Sequence, residues 1–413
     1  MNCYINARLI MKDRIIPDGF LLEDNGKILE TGPMAAAPAA LHSAIPAAVS
    51  SAMQSAAPEA LQNGVCAHID CKGLYLSPGF IDIHTHGGGN TDYLDGSETA
   101  FINSARAHLR HGTTSLLPTA SCCADETLFR FIDNFKAVKK TAANIPCMPG
   151  LHLEGPYFSI EQRGAQETEY IKKPDPRHYE KILEYGEGCI LRWSAAPELE
   201  GALEMGRRLS AQGILMSIGH SSATYDEVLA AVDNGYSHVT HLYSGMSTIT
   251  RRSGFRILGV IESTYIIDSL TVEIIADGLH LPPELLKHIL RGIDNNRICL
   301  ITDSIRAAGG STDPEFPDNK KHRFIIEDGI AKLPDRSAFA GSIATADRLI
   351  RVMTQKAGLP LEKAAGMLTR IPAAVTGLKK KGSLQAGYDA DFILFDENIE
   401  IKKIFVGGKE MSV

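Results

Sequence analysis

The chain has 413 residues, 44% of them hydrophobic, and a formal net charge of −7. It is long enough to bury a large core and longer than a single barrel needs; its acidic balance gives no footing for nucleic acid, and no run approaches the ~18 apolar residues of a membrane span. The eight cysteines, with Cys122 and Cys123 adjacent, show neither disulfide-framework nor zinc-finger spacing and read as reduced thiols of a cytosolic protein.

In chain order, residues 3–30 hold short apolar runs broken by Asp24-Asn25-Gly26-Lys27, a hairpin turn signal. Residues 34–62 collapse to Ala, Ser and Pro, which reads as a flexible insertion; its internal position and lack of a continuous apolar core exclude a secretory signal. From there strand-like runs at 74–83, 113–119, 147–154, 190–196, 214–220, 238–241, 271–277 and 298–303 alternate with helical patterns such as 97–111 and 125–140. Eight alternations over roughly the ~250 residues of a (β/α)8 barrel predict an α/β, TIM-like fold across 76–384. One helix shows its grammar in full: Thr224 as N-cap, Asp226 and Glu227 at the positive end, Val228, Leu229 and Val232 as the apolar stripe, Gly235 as the stop. The tail is apolar again at 392–395 and 404–408, and these runs are expected to pair with those near the N-terminus, giving a small domain from 1–75 and 385–413.

The chemistry concentrates where the strand runs end. Pro78-Gly79-Phe80-Ile81-Asp82-Ile83-His84-Thr85-His86-Gly87-Gly88 delivers a His-x-His pair into a glycine-rich loop. Residues i and i+2 of a strand share a face, so both imidazoles can converge on one ion. Later runs end at Glu154, His220, His241 and Asp303, and in a parallel barrel the strand ends make the working face. Any one of the six could be a hydrogen-bonded core residue; together they match the ligand set of a one- or two-metal hydrolase. His108, His111 and His288 fall in helical patterns and read as surface groups. His152 shares a strand face with Glu154, which leaves it open between a packed barrel histidine and a group behind the ligands.

These motifs resemble the amidohydrolase superfamily and, within it, the N-acetylglucosamine-6-phosphate deacetylase family. The elements that carry the resemblance are residues 78–86, Leu-His-Leu-Glu-Gly-Pro at 151–156, Gly-His-Ser-Ser-Ala at 219–223, Thr-His-Leu-Tyr at 240–243, Ala-Asp-Gly-Leu-His at 276–280, and Thr-Asp-Ser at 302–304 with Ala-Ala-Gly-Gly at 307–310. The resemblance implies a barrel beside a small β-sandwich built from both termini, a homodimer, and hydrolysis of the acetamide of an amino-sugar phosphate. It implies one or two divalent ions, zinc or iron, the first held by Glu154, His220 and His241 and a second by His84 and His86. Asp303 would be the general base and acid. Glu154, where related cyclic-imide hydrolases place a carboxylated lysine, points to the sugar-deacetylase branch. For the substrate, the resemblance implies His280 and Gln166 in the sugar pocket and Arg252 as the phosphate clamp, beside Arg251 and near Arg256. Ser244-Gly245 stands where typical members have Asn-Ala to hold the phosphate. Another N-acyl amino sugar or N-acyl amide fits the metal residues equally well, and a non-catalytic sugar-binding protein would be expected to lack one of the ligands or Asp303.

Overall fold

A computed structural model describes residues 1–37, 67–310 and 324–412 of the chain. Its centre is an eight-stranded parallel sheet whose strands pair in chain order: Phe80–Thr85, Thr113–Ala120, Leu151–Glu154, Ile190–Ala195, Leu215–Ile218, Tyr236–Val239, Thr271–Ile275 and Ile298–Ile301. The sheet closes on itself. Thr85 bridges Ser304 in parallel, and the Asp303 amide donates to the His84 carbonyl at 2.9 Å. A helix follows each strand, at Glu98–Arg110, Asp125–Thr141, Pro176–Gly186, Ala202–Ser210, Tyr225–Asp233, Val260–Ile266, Pro283–Gly292 and Ala346–Arg351. This is the (β/α)8 barrel read from the alternation of the sequence.

The helices form where local chemistry and burial agree. Ser97 caps the first by accepting from the Ala100 amide at 3.2 Å, Glu98 sits in its first turn, and Phe101, Ala105 and Leu109 face the core four residues apart. Thr224 and Glu227 close a reciprocal capping box around the helix Tyr225–Asp233. One apolar cluster runs through barrel and helices, with Trp193, Phe80, Phe101, Phe131 and Phe135 fully buried in it. Each such aromatic contributes roughly 1.5–3 kcal/mol by burial. No helix among the described residues is long and apolar enough to cross a membrane.

The run at 74–83, expected as one strand, is two. Tyr75–Pro78 pairs antiparallel with Phe392–Phe395, and Phe80–Thr85 opens the barrel. The chain crosses between the sheets at Gly79, whose amide donates to the Asp391 carbonyl at 2.9 Å; a Cβ there would stand 2.0 Å from Thr114 Oγ1. Tyr75–Pro78 belongs to a second sheet in the order Lys409–Glu410, Ile401–Val406, Phe392–Phe395, Tyr75–Pro78, Asn2–Ile10, Ile15–Asp24, Lys27–Pro33, with Ala67–Asp70 beside Asn2–Ile10. The turn signal at Asn25-Gly26 makes its hairpin with both residues at positive φ, 49° and 77°. This sheet curls strongly. Tyr4, from the middle of the sheet, meets Phe392 and Phe405 with ring centroids 4.8 and 5.1 Å apart, so strands two and three places away face one another across a shared core. The terminal sandwich is thus one folded-over sheet. Of the insertion expected at 34–62, only Met34–Ala36 and Ala37 lie within the described residues, as a single 3₁₀ turn.

Candidate active site

The strand ends place the candidate ligands on one face. His84 is the penultimate residue of the first barrel strand and His86 follows that strand; Glu154 is the last residue of the third strand; His220, His241 and Asp303 stand two residues past the fifth, sixth and eighth. Three of them leave their strands with positive φ, 47° at His220, 28° at His241 and 44° at Asp303. Such non-glycine conformations cost on the order of 1–3 kcal/mol each and turn the side chains in over the barrel mouth.

Glu154 is the hub. Its Oε1 lies 2.9 Å from His241 Nε2, 3.1 Å from His220 Nε2 and 3.6 Å from His84 Nε2. Gln166 Nε2 donates to its Oε2 at 2.7 Å, while Gln166 Oε1 accepts from the Cys122 amide at 2.8 Å. On the other side, Asp303 Oδ1 lies 3.2 Å from His86 Nε2 and 3.4 Å from His84 Nε2, and these two nitrogens are 3.3 Å apart. Two triplets, Glu154–His220–His241 and His84–His86–Asp303, each bring their ligand atoms within 4.8 Å of one another.

The donor set fits a divalent cation. His220 Nδ1 donates to the Gln162 carbonyl at 2.8 Å and His84 Nδ1 to Glu273 Oε2 at 3.2 Å, so in their neutral form both present bare Nε2 lone pairs to carboxylate oxygens. Acceptors aimed at acceptors at this distance need positive charge between them. The protein's own groups show the same demand. Burial works against charge on His84 and His86, yet Asp303 and Glu154 outweigh it and raise the two imidazoles to about 9 and about 10. Burial likewise opposes ionisation of Glu154 and Asp303, and His84 with the neighbouring imidazoles holds both below the usual carboxylate range.

A cavity of about 880 Å³ opens over this cluster, within the size range of small-molecule sites. His280 reaches its wall with Nδ1 held by Asp277 Oδ2 at 2.8 Å, and Ser244, Gly245 and Gln166 line it too. Gly245 passes so close that a Cβ would stand 2.8 Å from His220 Nδ1. Arg252 is placed differently. With Arg251 and Arg256 it lies on an exposed hairpin, Thr250–Arg252 with Phe255–Ile257, and the cavity wall of its own chain does not include it. The single arginine or lysine on that wall, among the described residues, is Arg163, which the sequence reading passed over although it sits three residues before Gln166.

Three further histidines find their places. His108 is not a surface group: it is fully buried, its Nε2 donates to the Gly87 carbonyl at 2.9 Å and lies 2.9 Å from Thr85 Oγ1, and burial pushes its imidazole down to about 4. His111 pairs with Asp347 at 3.2 Å. His152 lies behind the ligands, its ring 4.6 Å from that of His84, with Nε2 bonded to Ser194 Oγ at 2.8 Å.

A model of the amidohydrolase family matches residues 75–411. The N-acetylglucosamine-6-phosphate deacetylase of Lysinibacillus sphaericus is 32% identical over 347 residues, 83% of this chain and 86% of that protein. Among solved structures, N-acetylglucosamine-6-phosphate deacetylase from Pasteurella multocida matches with a TM-score of 0.84 at 25% identity over 99% of both chains. An alanine variant of the Mycobacterium smegmatis deacetylase, in complex with N-acetyl-D-glucosamine-6-phosphate, matches with a TM-score of 0.82 at 25% identity over 100% of this chain and 99% of that one. With the barrel, the cluster of candidate ligands and these likenesses in agreement, the chain belongs to the amidohydrolase family, in its N-acetylglucosamine-6-phosphate deacetylase branch.

Proposed function

We propose that the protein is a metal-dependent deacetylase that converts N-acetylglucosamine 6-phosphate and water to glucosamine 6-phosphate and acetate. The convergence of Glu154, His220 and His241 beside His84, His86 and Asp303 at the floor of one cavity carries this reading. Glu154, His220 and His241 would hold the principal ion, and His84 and His86 would hold a second. A divalent cation there, zinc or iron by the chemistry of imidazole and carboxylate donors, would supply Lewis acidity to the acetamide carbonyl and to water.

The chain's own residues do the rest. Asp303, kept ionised by the imidazoles beside it, takes a proton from the attacking water. The water oxygen bonds to the carbonyl carbon, the C–N bond breaks, and Asp303 returns the proton to the departing amine nitrogen. Gln166 fixes the second oxygen of Glu154, so that Oε1 stays aimed at His220 and His241. His280, oriented by Asp277, and the Ser244-Gly245 turn take the sugar, and Arg163, with Arg252 presented by the second copy of a homodimer, supplies positive charge for the phosphate. In this reading the chain divides into a barrel, 76–384, and a small domain, 1–75 with 385–413, and works as a cytoplasmic homodimer.

The test is acetate release by metal-replete protein from N-acetylglucosamine 6-phosphate and from N-acetylglucosamine, side by side. A kcat/KM at least ~10-fold higher for the phosphate is expected from one charge-assisted arginine contact. Equal values would move the substrate away from sugar phosphates, and no acetate from either would overturn the deacetylase reading.

A further inference from the structure

Beneath the ligands lies a buried ion pair that the reaction itself does not use. Arg192, on the fourth barrel strand, and Glu273, on the seventh, are both fully buried, and Arg192 Nη1 donates directly to Glu273 Oε1. The guanidinium spends its other donors on neighbouring strands: Nη1 on the Ile83 carbonyl at 3.1 Å, Nε on Ser217 Oγ at 3.1 Å, and Nη2 on Thr240 Oγ1 at 3.0 Å. Arg192 therefore ties the first, fifth and sixth strands to Glu273, directly below His84 and His241.

Glu273 in turn faces the ligands. Its Oε2 lies 3.2 Å from His84 Nδ1 and accepts from the His241 backbone amide at 3.3 Å; its Oε1 lies 3.6 Å from His238 Nε2. A carboxylate clamped by a guanidinium can only accept, so it compels neutral His84, the form that binds a metal, to carry its proton on Nδ1 and leave Nε2 as the lone pair. His152, stacked edge-on at 4.6 Å, holds the ring from another side. No other carboxylate reaches His84 Nδ1 among the described residues. The pairing with Arg192 also fixes Glu273 in place, so that it orients a ligand without becoming one.

We infer that Glu273, held by Arg192, is the positioning residue that makes His84 a metal ligand and so determines whether the His84–His86 pair holds its ion. The inference rests on the reading of these two histidines as ligands of a second ion. Loss of such a partner behind a ligating histidine typically weakens the metal ten- to hundredfold. The Glu154–His220–His241 site has its own support in Gln166 and the Gln162 carbonyl, and touches Glu273 only through the His241 amide. The effect should therefore fall on one ion and spare the other.

The experiment measures zinc per chain and the two dissociation constants, by elemental analysis and calorimetry after chelation and reloading, for wild type, Glu273→Gln, Arg192→Met/Glu273→Leu and His84→Ala. Removing both charges with side chains of similar volume avoids a stranded buried ion and keeps the barrel folded; Glu273→Gln gives the readout with the arginine retained. The expected result is two ions in wild type, with the weaker constant raised tenfold or more and the tighter one little changed in both Glu273 variants, as in His84→Ala. A wild-type second constant in either Glu273 variant would overturn the inference, as would equal weakening of both ions, which would show a merely structural role. A single ion in wild type with His84→Ala unaffected would overturn the two-ion reading itself and the inference with it.

Discussion

Asp303 stands where three constraints meet: a positive φ of 44° beyond the last barrel strand, an amide bonded to the His84 carbonyl, and a carboxylate 3.2 Å from His86 Nε2. Asparagine accepts the same backbone conformation and keeps one carbonyl oxygen, but it cannot take up or release a proton. Asp303→Asn is expected to lower kcat by about 10²–10⁴, the usual worth of a general acid–base group, while elemental analysis finds the metal content unchanged. Arg163 offers a second contrast at this scale. As the sole guanidinium on the cavity wall among the described residues, its change to Gln should raise KM for the 6-phosphate about 10-fold or more and leave the unphosphorylated sugar unaffected; equal shifts on both would remove it from the phosphate site. His108 shows what was legible and overlooked. Phe101, Ala105 and His108 are spaced four and three apart and share one helix face, so the apolar stripe already pointed His108 inward. Arg106 and Arg110 around it lie on other faces.

At the scale of strands and helices, the barrel was readable because each strand is an apolar run bounded by turn residues. Its interior was readable in outline as well. Polar residues recur two apart inside those runs, as Asp82 and His84, His152 and Glu154, Arg192 and Ser194, His238 and Thr240, and all of them are buried. That period marks a polar layer, but it does not say which groups pair, since Arg192 and Glu273 are 81 residues apart and meet only once the barrel closes. The split of 74–83 was hidden for a related reason: both halves are apolar, and only the fit of Gly79 against Thr114 separates them. Between helices, Asp347 receives His111 at 3.2 Å and Arg351 at 3.0 Å, tying Glu98–Arg110 to Ala346–Arg351. Burial alone would raise this carboxyl, but the bond from His111, with Thr345 and Arg351, brings it down to about 2. A folded pKa below the unfolded one of about 3.9 gives stability that is present above about pH 4 and lost as pH falls through about 2. Asp347→Asn should therefore destabilise by about 2 kcal/mol in denaturant titrations at pH 7 and pH 4, with the gap to wild type narrowing at pH 3. A gap independent of pH would remove the electrostatic account.

For the whole molecule, the terminal strands were legible as strands and as partners, whereas the curl that brings Tyr4 onto Phe392 and Phe405 was not, because alternation fixes faces and not curvature. The exposed hairpin is the other feature visible only at this scale. It carries Arg251, Arg252 and Arg256, together with Phe255 at 75% exposure, away from the cavity of its own chain. If Arg252 serves the phosphate in the homodimer, a second copy must present it, and that makes the assembly testable by complementation. Arg252→Ala leaves Asp303 intact, and Asp303→Asn leaves Arg252 intact. Each variant alone is expected to be poorly active on the 6-phosphate. Mixed under conditions that exchange subunits, the Arg252→Ala chain would receive Arg252 from its Asp303→Asn partner, giving one complete site per mixed dimer and a rise in acetate release above either variant alone. An arginine acting within its own chain gives no complete site in any mixed dimer, so a mixture no more active than the average of the two variants would place Arg252 in cis or outside the site.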